Sequence, residues 1–600
     1  MPPSIDAVDV LVWGGGTGGA AAAIQAARGG ATTLLLTPGS WLGGMVSAAG
    51  VCCPDGNELT PWQTGLWGSF LRELEQREPE GLDHNWVSCF GYRPTTAERI
   101  LQNWVKGEPN LLWWPGCRLL AVERDGSLIT AVRVETAGEQ RRVRCQVVID
   151  GSDRGDLLPL AEAPFRLGWE PQEQWGEPSA PSQERLDTEQ FFHEQLVQSP
   201  TWVVMGQLQS DRLPKDAARG MDPEGRQHLA SPFELACQTF GLERTITYGR
   251  LPGGLVMLNW PLHGNDWHWG LERAFSGDPT HEHQLNHDMQ AHSLRFAEAL
   301  QEASSGWLHL GDAFPAETGS PAPWLAAMPY WREGRRLIGC QTVIEQHLLP
   351  TSGTSAAALP LNEAGELQSI AVGNYANDHH YPGPDWPLAP KSCRWGGRWT
   401  GTPFCIPYGA LVSGAIDNLL AADKAFSTSH MANGATRLQP LILNVGQAAG
   451  AAAALAVRGG VPPTQVPVRD LQTALISDPQ SASAVAPLWD TPWHHPQWRE
   501  RQEAVLANPQ QFGHGLAGNG SADLYPIPAS RHEQQWSGTI QAEASGGFRF
   551  TTNSGETWPV ITLEPSMHHW LSELEGASSV ELIGNVNPWG PWLRVSRLAG

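Results

Sequence analysis

Six consecutive residues near the start of the chain, Gly14-Gly15-Gly16-Thr17-Gly18-Gly19, satisfy the pattern G-x-G-x-x-G. Each glycine of the pattern has a use in holding a dinucleotide. Gly14 permits a tight turn off a strand, Gly16 lets backbone approach a pyrophosphate, and Gly19 lets a helix lie close on a sheet. Thr17 and Gly18 then open that helix, where amide N–H groups and the helix dipole favour phosphate. The second strand of such a unit ordinarily ends on Asp or Glu for the adenosine ribose, but here the chain reads Leu36-Thr37-Pro38. Thr37 offers hydrogen bonds without charge. No basic residue replaces the acid, so nothing supports a 2′-phosphate. Two other groups invite chemistry. Cys52-Cys53 suggests a redox disulfide, although adjacent cysteines close a strained ring and more often stay as thiols. His281, His283 and His287 suggest a metal, yet the polar helix around them reads as a solvent-exposed stripe, and no metal site is expected.

The elements that must position these residues follow from hydrophobic periodicity. Residues 9–13 predict a strand, 20–28 an alanine-rich helix ended by Gly29-Gly30, and 32–36 a second buried strand, which together make one βαβ unit. A helix ending near Arg77, another over 96–105, and alternating strands over 119–124, 128–136 and 143–150 come next. From about 168 to 391 the sequence turns irregular and rich in Trp and His, as expected of an inserted substrate domain. A strand over 419–423 and a long helix of small residues over 439–459 return to the first fold. Segments 539–543, 548–552 and 579–582 predict a small β-rich appendage. The expected division is 1–168 and 393–480 as two parts of one nucleotide-binding domain, 169–392 as the insert, and 481–600 as the appendage.

Composition limits the function classes. The 600 residues carry 39 Lys+Arg against 62 Asp+Glu, a formal charge of -23 that disfavours nucleic acid and anionic lipid as partners. The nine cysteines contain no CxxC pair, which argues against structural zinc or an iron–sulfur centre and suits a reducing cytoplasm. The head of the chain has no basic region before an apolar run, so no signal peptide is expected, and the longest apolar stretch, 448–457, reads as too short to span a bilayer. The 28 tryptophans serve core packing or an aromatic-lined pocket.

Several separated segments, taken together, resemble the FAD-dependent oxidoreductase family related to the flavoprotein subunit of heterodisulfide reductases. They are DVLVWGGGTGGAAAAIQAARGGATTLLL with Trp41-Leu42-Gly43-Gly44-Met45, VVIDGSDRGDLLPLAEAPFRLG, LNWPLHGND, YWREGRRLIG, the stretch Tyr375 to His380, and IPYGALVSGAIDNLLAADKAFSTSHMANGATRLQPLILNVGQAAGAAAALA. The resemblance runs over roughly residues 8 to 475. It implies an α/β fold with a Rossmann-like, doubly wound FAD-binding sheet and an inserted α+β domain. FAD contacts are then expected from Gly14, Gly16, Thr17, Gly18, Gly19, Thr37, Gly43, Gly44, Met45, Asp150 and Gly151. By analogy Asp423 holds a ribityl hydroxyl or simply ends its strand, and Gly446-Gln447-Ala448 present amides to the isoalloxazine edge. The family more often has Gly-Arg at 423 and 424. On the substrate side a base is needed near the bond that loses hydride. His380, in Tyr375-Ala-Asn-Asp378-His-His380, and His263, in Asn259-Trp-Pro-Leu-His-Gly-Asn-Asp266, are the candidates, and each also suits a structural histidine. Tyr375 belongs with the first. One of Arg332, Arg335 and Arg336, with Arg335 preferred, clamps a carboxylate or balances charge on the flavin, unless the three form a salt-bridged face with Glu333. The resemblance therefore implies hydride transfer from a small-molecule substrate, with dioxygen or a separate electron carrier as reoxidant. A flavin monooxygenase fed by an external reductase, or a flavin-binding protein without turnover, is the alternative.

Overall fold

The computed structural model describes residues 6–214, 229–261, 263–351, 356–382, 402–512, 532–543, 547–587 and 592–599. The chain opens with strand β1 (Ala7–Trp13), helix α1 (Thr17–Arg28) and strand β2 (Thr33–Leu36). After helices α2 (Gly65–Arg77) and α3 (Pro94–Gly107) come β3 (Leu111–Trp114), β4 (Arg118–Asp125), β5 (Leu128–Thr136) and β6 (Glu139–Asp150). The sheet order is β3-β2-β1-β6-β5-β4, and the strand Leu419–Ala421 also pairs with β6. The 12-residue β6 serves two sheets in one. Its first half pairs antiparallel with β5 and alternates between solvent and core, whereas its last four residues, Val147 to Asp150, are buried. That buried half lies parallel between β1 and Leu419–Ala421. Strands covered on both faces read as continuous apolar runs, which is why β1, β2 and the end of β6 carry almost no polar side chain. The short Leu-Leu-Trp-Trp strand β3, parallel to β2, is an edge that the sequence periodicity did not signal.

The helix Gln439–Gly459 closes the fold by packing on α1 through small residues. A Cβ on Gly446 would lie 2.2 Å from the Gly18 carbonyl oxygen, and one on Gly450 2.2 Å from that of Ala22. By length and composition this 21-residue helix is apolar enough to cross a bilayer, longer than the apolar stretch read from the sequence, and it is mostly buried inside the protein.

Between the two halves of the nucleotide fold lie the antiparallel sheet Leu308–Leu310, Val204–Leu208, Leu255–Leu258, the long helix Pro279–Ala303, and the pair Ser369–Tyr375 with Thr402–Pro407. These share one continuous hydrophobic core with the nucleotide fold. The expected boundary at 392/393 lies outside the described residues.

The expected appendage is two things. Residues 484–512 contribute Val485, Leu488, Trp489 and Trp498 to the main core. Among the described residues, only the strands from Gln534 onward form a separate unit, a closed five-stranded barrel with its own core around Ile540, Phe550 and Leu593.

Candidate functional site

The glycine loop sits where the sequence placed it. Gly14 has φ 95° and a Cβ there would meet the Ser152 amide nitrogen at 2.5 Å, while one on Gly16 would lie 2.6 Å from Asp423 Oδ2. One on Gly19 would lie 2.1 Å from the Gly14 carbonyl oxygen. The cradle therefore tolerates no side chain. Helix α1 has no acidic residue in its first turn, and its first amides have no partner within the helix. Gly18 N–H donates to Asp423 Oδ2 at 2.7 Å, and the Thr17 hydroxyl donates to the Gly43 carbonyl at 2.6 Å. This last bond ties Gly43 and the buried one-turn helix Gly44–Val46 that follows it over the loop, helped by Gly43 N–H donating to Gly15 O at 2.8 Å. A dinucleotide phosphate fits such a glycine-lined helix start.

Beneath the loop is a buried charge cluster. Lys424 Nζ pairs with Asp153 and, at 3.1 Å, with Asp423. Burial opposes the lysine charge, but Asp153 and Asp423 outweigh it and hold the ammonium above its ordinary range. The substitution of Asp423-Lys424 for the more usual Gly-Arg thus brings its own counter-ion. Asp150 turns inward: its carboxylate accepts from Ser152 N and Leu157 N, both at 3.0 Å, and burial pushes its pKa up to about 7. It shapes the 151–157 turn, and Gly151 O accepts from Gly16 N at 3.2 Å. Thr37 lies against Gly15 with its hydroxyl donated to Gly39 O (2.7 Å) and accepting from the Trp113 indole (2.9 Å).

Gly446, Gln447 and Ala448 correct the expectation. They lie about two turns inside the helix Gln439–Gly459, so their amides are spent on helix hydrogen bonds. Gly446 touches α1, and the Gln447 amide group bridges Leu66 N (2.9 Å) and Ser481 O (2.7 Å). The helix start, at Leu438 and Gln439, is what faces the cavity described next.

That cavity, of 40 Å³, is lined by Asp55, Tyr248, Asn259, Tyr330, Arg332, Tyr375, Asp378, His380, Arg437 and Gln439, among others. His380 and Tyr375 therefore converge as expected. The His380 ring is fixed at both nitrogens: Nδ1 lies 2.9 Å from Asp266 Oδ2 and Nε2 2.9 Å from Asp378 Oδ2. Its backbone is held too, since His380 N donates to Gln198 Oε1 (3.2 Å) and His380 O accepts from Ser199 N (2.7 Å). Asp266 is fully buried and pairs with Arg332 at 3.0 Å as well as the Thr201 hydroxyl. Burial works against its charge, but Arg332 and His380 prevail and hold its carboxyl well below the usual range. Burial pushes the Tyr375 and Tyr248 phenols well up, so both stay neutral donors.

Two expected residues lie elsewhere. His263 occupies an exposed turn at φ 57°; of its motif, Asn259 lines the cavity described above and Asp266 reaches it through the His380 ring. Arg335 stacks on Phe275, 5.0 Å from the ring centroid, and faces Asp156 at 3.6 Å. Arg336 is buried against Glu170 and Glu333, and the segment is not helical. Of the three arginines only Arg332 reaches the cavity. The sequence reading missed Asp266 and Arg437 as site residues. A signal existed for the first: Asp266 is the one carboxylate among residues 251–271. Cys52 and Cys53 are buried, with the Cys53 sulfur accepting from Asn85 Nδ2 at 3.3 Å, and His281, His283 and His287 are exposed on the helix Pro279–Ala303.

A triple mutant of the flavin-dependent brominase Bmp2 is similar at 10% identity over 84% of this chain and 90% of that one, with a TM-score of 0.34. The myxobacterial chondrochloren halogenase CndH is similar at 13% over 51% and 62%, TM-score 0.27. For p-nitrophenol 4-monooxygenase PnpA from Pseudomonas putida DLL-E4 the figures are 10%, 34% and 47%, TM-score 0.22. The chain thus spans about half the length of PnpA. No curated protein matches the chain. A family model described as FAD dependent oxidoreductase matches residues 9–475, running through both halves of the nucleotide fold and everything between them, and the chain belongs to that family.

Proposed function

We propose that the chain oxidises a small polar organic substrate by hydride transfer to FAD, and that the Asp378–His380 pair receives the accompanying proton. The observation that carries this reading is the His380 ring held between Asp266 and Asp378 on the wall of a polar cavity. FAD, when bound, supplies the two-electron acceptor. Gly14, Gly16, Thr17, Gly18 and Gly19 would hold its pyrophosphate, with Gly43, Gly44 and Met45 to cover it, Gly151 to brace the loop, Thr37 to serve the ribose and Asp423 the ribityl chain. Arg332 keeps Asp266 charged, Asp266 fixes the His380 ring, and Gln198 with Ser199 fixes its backbone. Tyr248 and Tyr375 orient the substrate by donating hydrogen bonds. Dioxygen or a separate electron carrier then reoxidises the protein.

Anaerobic stopped-flow reduction of the bound flavin tests the reading. His380→Gln is expected to slow it by about 10²- to 10⁴-fold, the usual worth of a positioned acid–base group. Wild-type reduction by that variant would refute the assignment.

A further inference from the structure

Two arginines line the cavity. Arg332 is committed to Asp266 and to Thr201 Oγ1, each at 3.0 Å. Arg437 gives one nitrogen to the Tyr330 hydroxyl (2.8 Å) and another to the Asp378 carbonyl (3.2 Å) and carboxylate (3.5 Å), while its buried Nε, like that of Arg332, has no hydrogen-bond partner among the described residues. Two residues on, Gln439 donates to Val51 O at 3.2 Å, yet its buried Oε1 is likewise unmatched. An unmatched donor and an unmatched acceptor thus belong to neighbouring residues of one wall. Leaving each buried and unmatched is costly unless a ligand completes it. Asp55 and Asp378 line the same space.

Size and charge narrow the ligand. A 40 Å³ cavity accepts about three water-sized groups, room for the nitrogen and two oxygens of a head group and not for a large ring. Two arginines set against Asp55 and Asp378, with Asp266 paired to Arg332 behind the wall, leave no net positive charge for an anion. A simple anion is disfavoured there, and a molecule carrying both signs at adjacent atoms is matched.

We propose that the cavity holds the head group of an α-amino acid, its carboxylate on Arg437 and Tyr375 and its nitrogen facing Asp55, Asp378 and Gln439 Oε1. The inference rests on the hydride-transfer reading and names its substrate class. An ammonium proton passes to the Asp378–His380 pair. The C2–H bond breaks with its electron pair going to FAD, the oxidant, and nitrogen forms a double bond to C2. The resulting iminium takes up water and releases ammonium, leaving a 2-oxo acid. The side chain of the amino acid extends out of the cavity.

The test uses the FAD-loaded full chain under anaerobic conditions. Each common L- and D-amino acid, with lactate and propionate as controls, is titrated while the visible spectrum is followed both for perturbation, which reports binding, and for bleaching, which reports reduction. At least one amino acid is expected to bind and bleach at tenfold or more lower concentration than either control. Arg437→Met should raise the half-saturating concentration about 100-fold, Arg437→Lys less, and Tyr375→Phe about tenfold with FAD content unchanged. Perturbation without bleaching supports the head-group assignment and overturns the hydride reading. Bleaching by lactate or another alcohol with no amino acid binding overturns the present inference and leaves the hydride reading standing. No perturbation by any amino acid, or wild-type binding by Arg437→Met and Tyr375→Phe, overturns it outright.

Discussion

Glu564 lies at the seam between the C-terminal barrel and the main body, where its Oε2 accepts from the Thr60 hydroxyl at 3.0 Å. Burial is the largest influence on its carboxyl and pushes it up to about 8, against the downward pull of the Thr60 hydrogen bond and Arg594. In the unfolded chain the same carboxyl titrates near its ordinary 4.5. Below that pH both states hold the proton and Glu564 does not bias folding. Between 4.5 and 8 the folded state keeps a proton that the unfolded state releases, so stability falls as pH rises, and the loss is complete above 8. At 1.36 kcal/mol per pH unit the window corresponds to about 5 kcal/mol, an upper bound because water reaching the seam relieves part of it.

Glu564→Gln keeps the shape and an acceptor for Thr60 but removes the titration. Thermal melts followed by tryptophan fluorescence from about pH 5 to 9 provide the assay. At pH 5 the two proteins are expected to melt within about 2 °C of each other. By pH 8.5 the variant should melt higher by at least about 4 °C, since even 1 kcal/mol moves a unit of the barrel's size by that much. Parallel pH profiles, or a variant less stable at pH 8.5, would refute the reasoning.

Three further outcomes follow from the site. Asp266→Asn strips the counter-charge from buried Arg332 and loosens His380, so urea unfolding should show a loss of about 3–5 kcal/mol and flavin reduction should slow at least 100-fold. Gly446→Ala forces a methyl against the Gly18 carbonyl 2.2 Å away, and the purified protein is expected to lose about 1–3 kcal/mol of stability together with flavin content per chain. Arg335→Met, which removes a charge stacked on Phe275, should lower the melting temperature while leaving anaerobic reduction within about twofold of wild type.

What the sequence made legible was set by how local the physical demand is. The glycine loop was readable because steric exclusion acts at fixed spacing: no side chain fits at Gly14, Gly16, Gly18 or Gly19 whatever the rest of the chain does. The same exclusion acts at Gly446 and Gly450, but a run of small residues does not name its partner, and α1 rather than a ligand lies against it. The barrel was half-legible, since short strands show alternation but not closure.

The cavity shows where such reading ends. Arg332, Arg335 and Arg336 are near-neighbours of one residue type, and their destinations differ because the segment is extended rather than helical: the cavity, a phenylalanine face and a buried carboxylate pair. His263 lies three positions before Asp266, yet its positive-φ turn carries it to the surface while Asp266 turns inward. The contact that matters joins Asp266 to His380, 114 positions away. Nothing in either motif specifies that partner. It arises because one motif follows the strand Leu255–Leu258 and the other follows Ser369–Tyr375, and because Gln198 and Ser199 bring the second under the first. Burial of Asp266 also explains why it was overlooked: a carboxylate is conspicuous in sequence as a surface residue, and only the three groups around it, Arg332, Thr201 and His380, make it the fixed point on which the histidine turns.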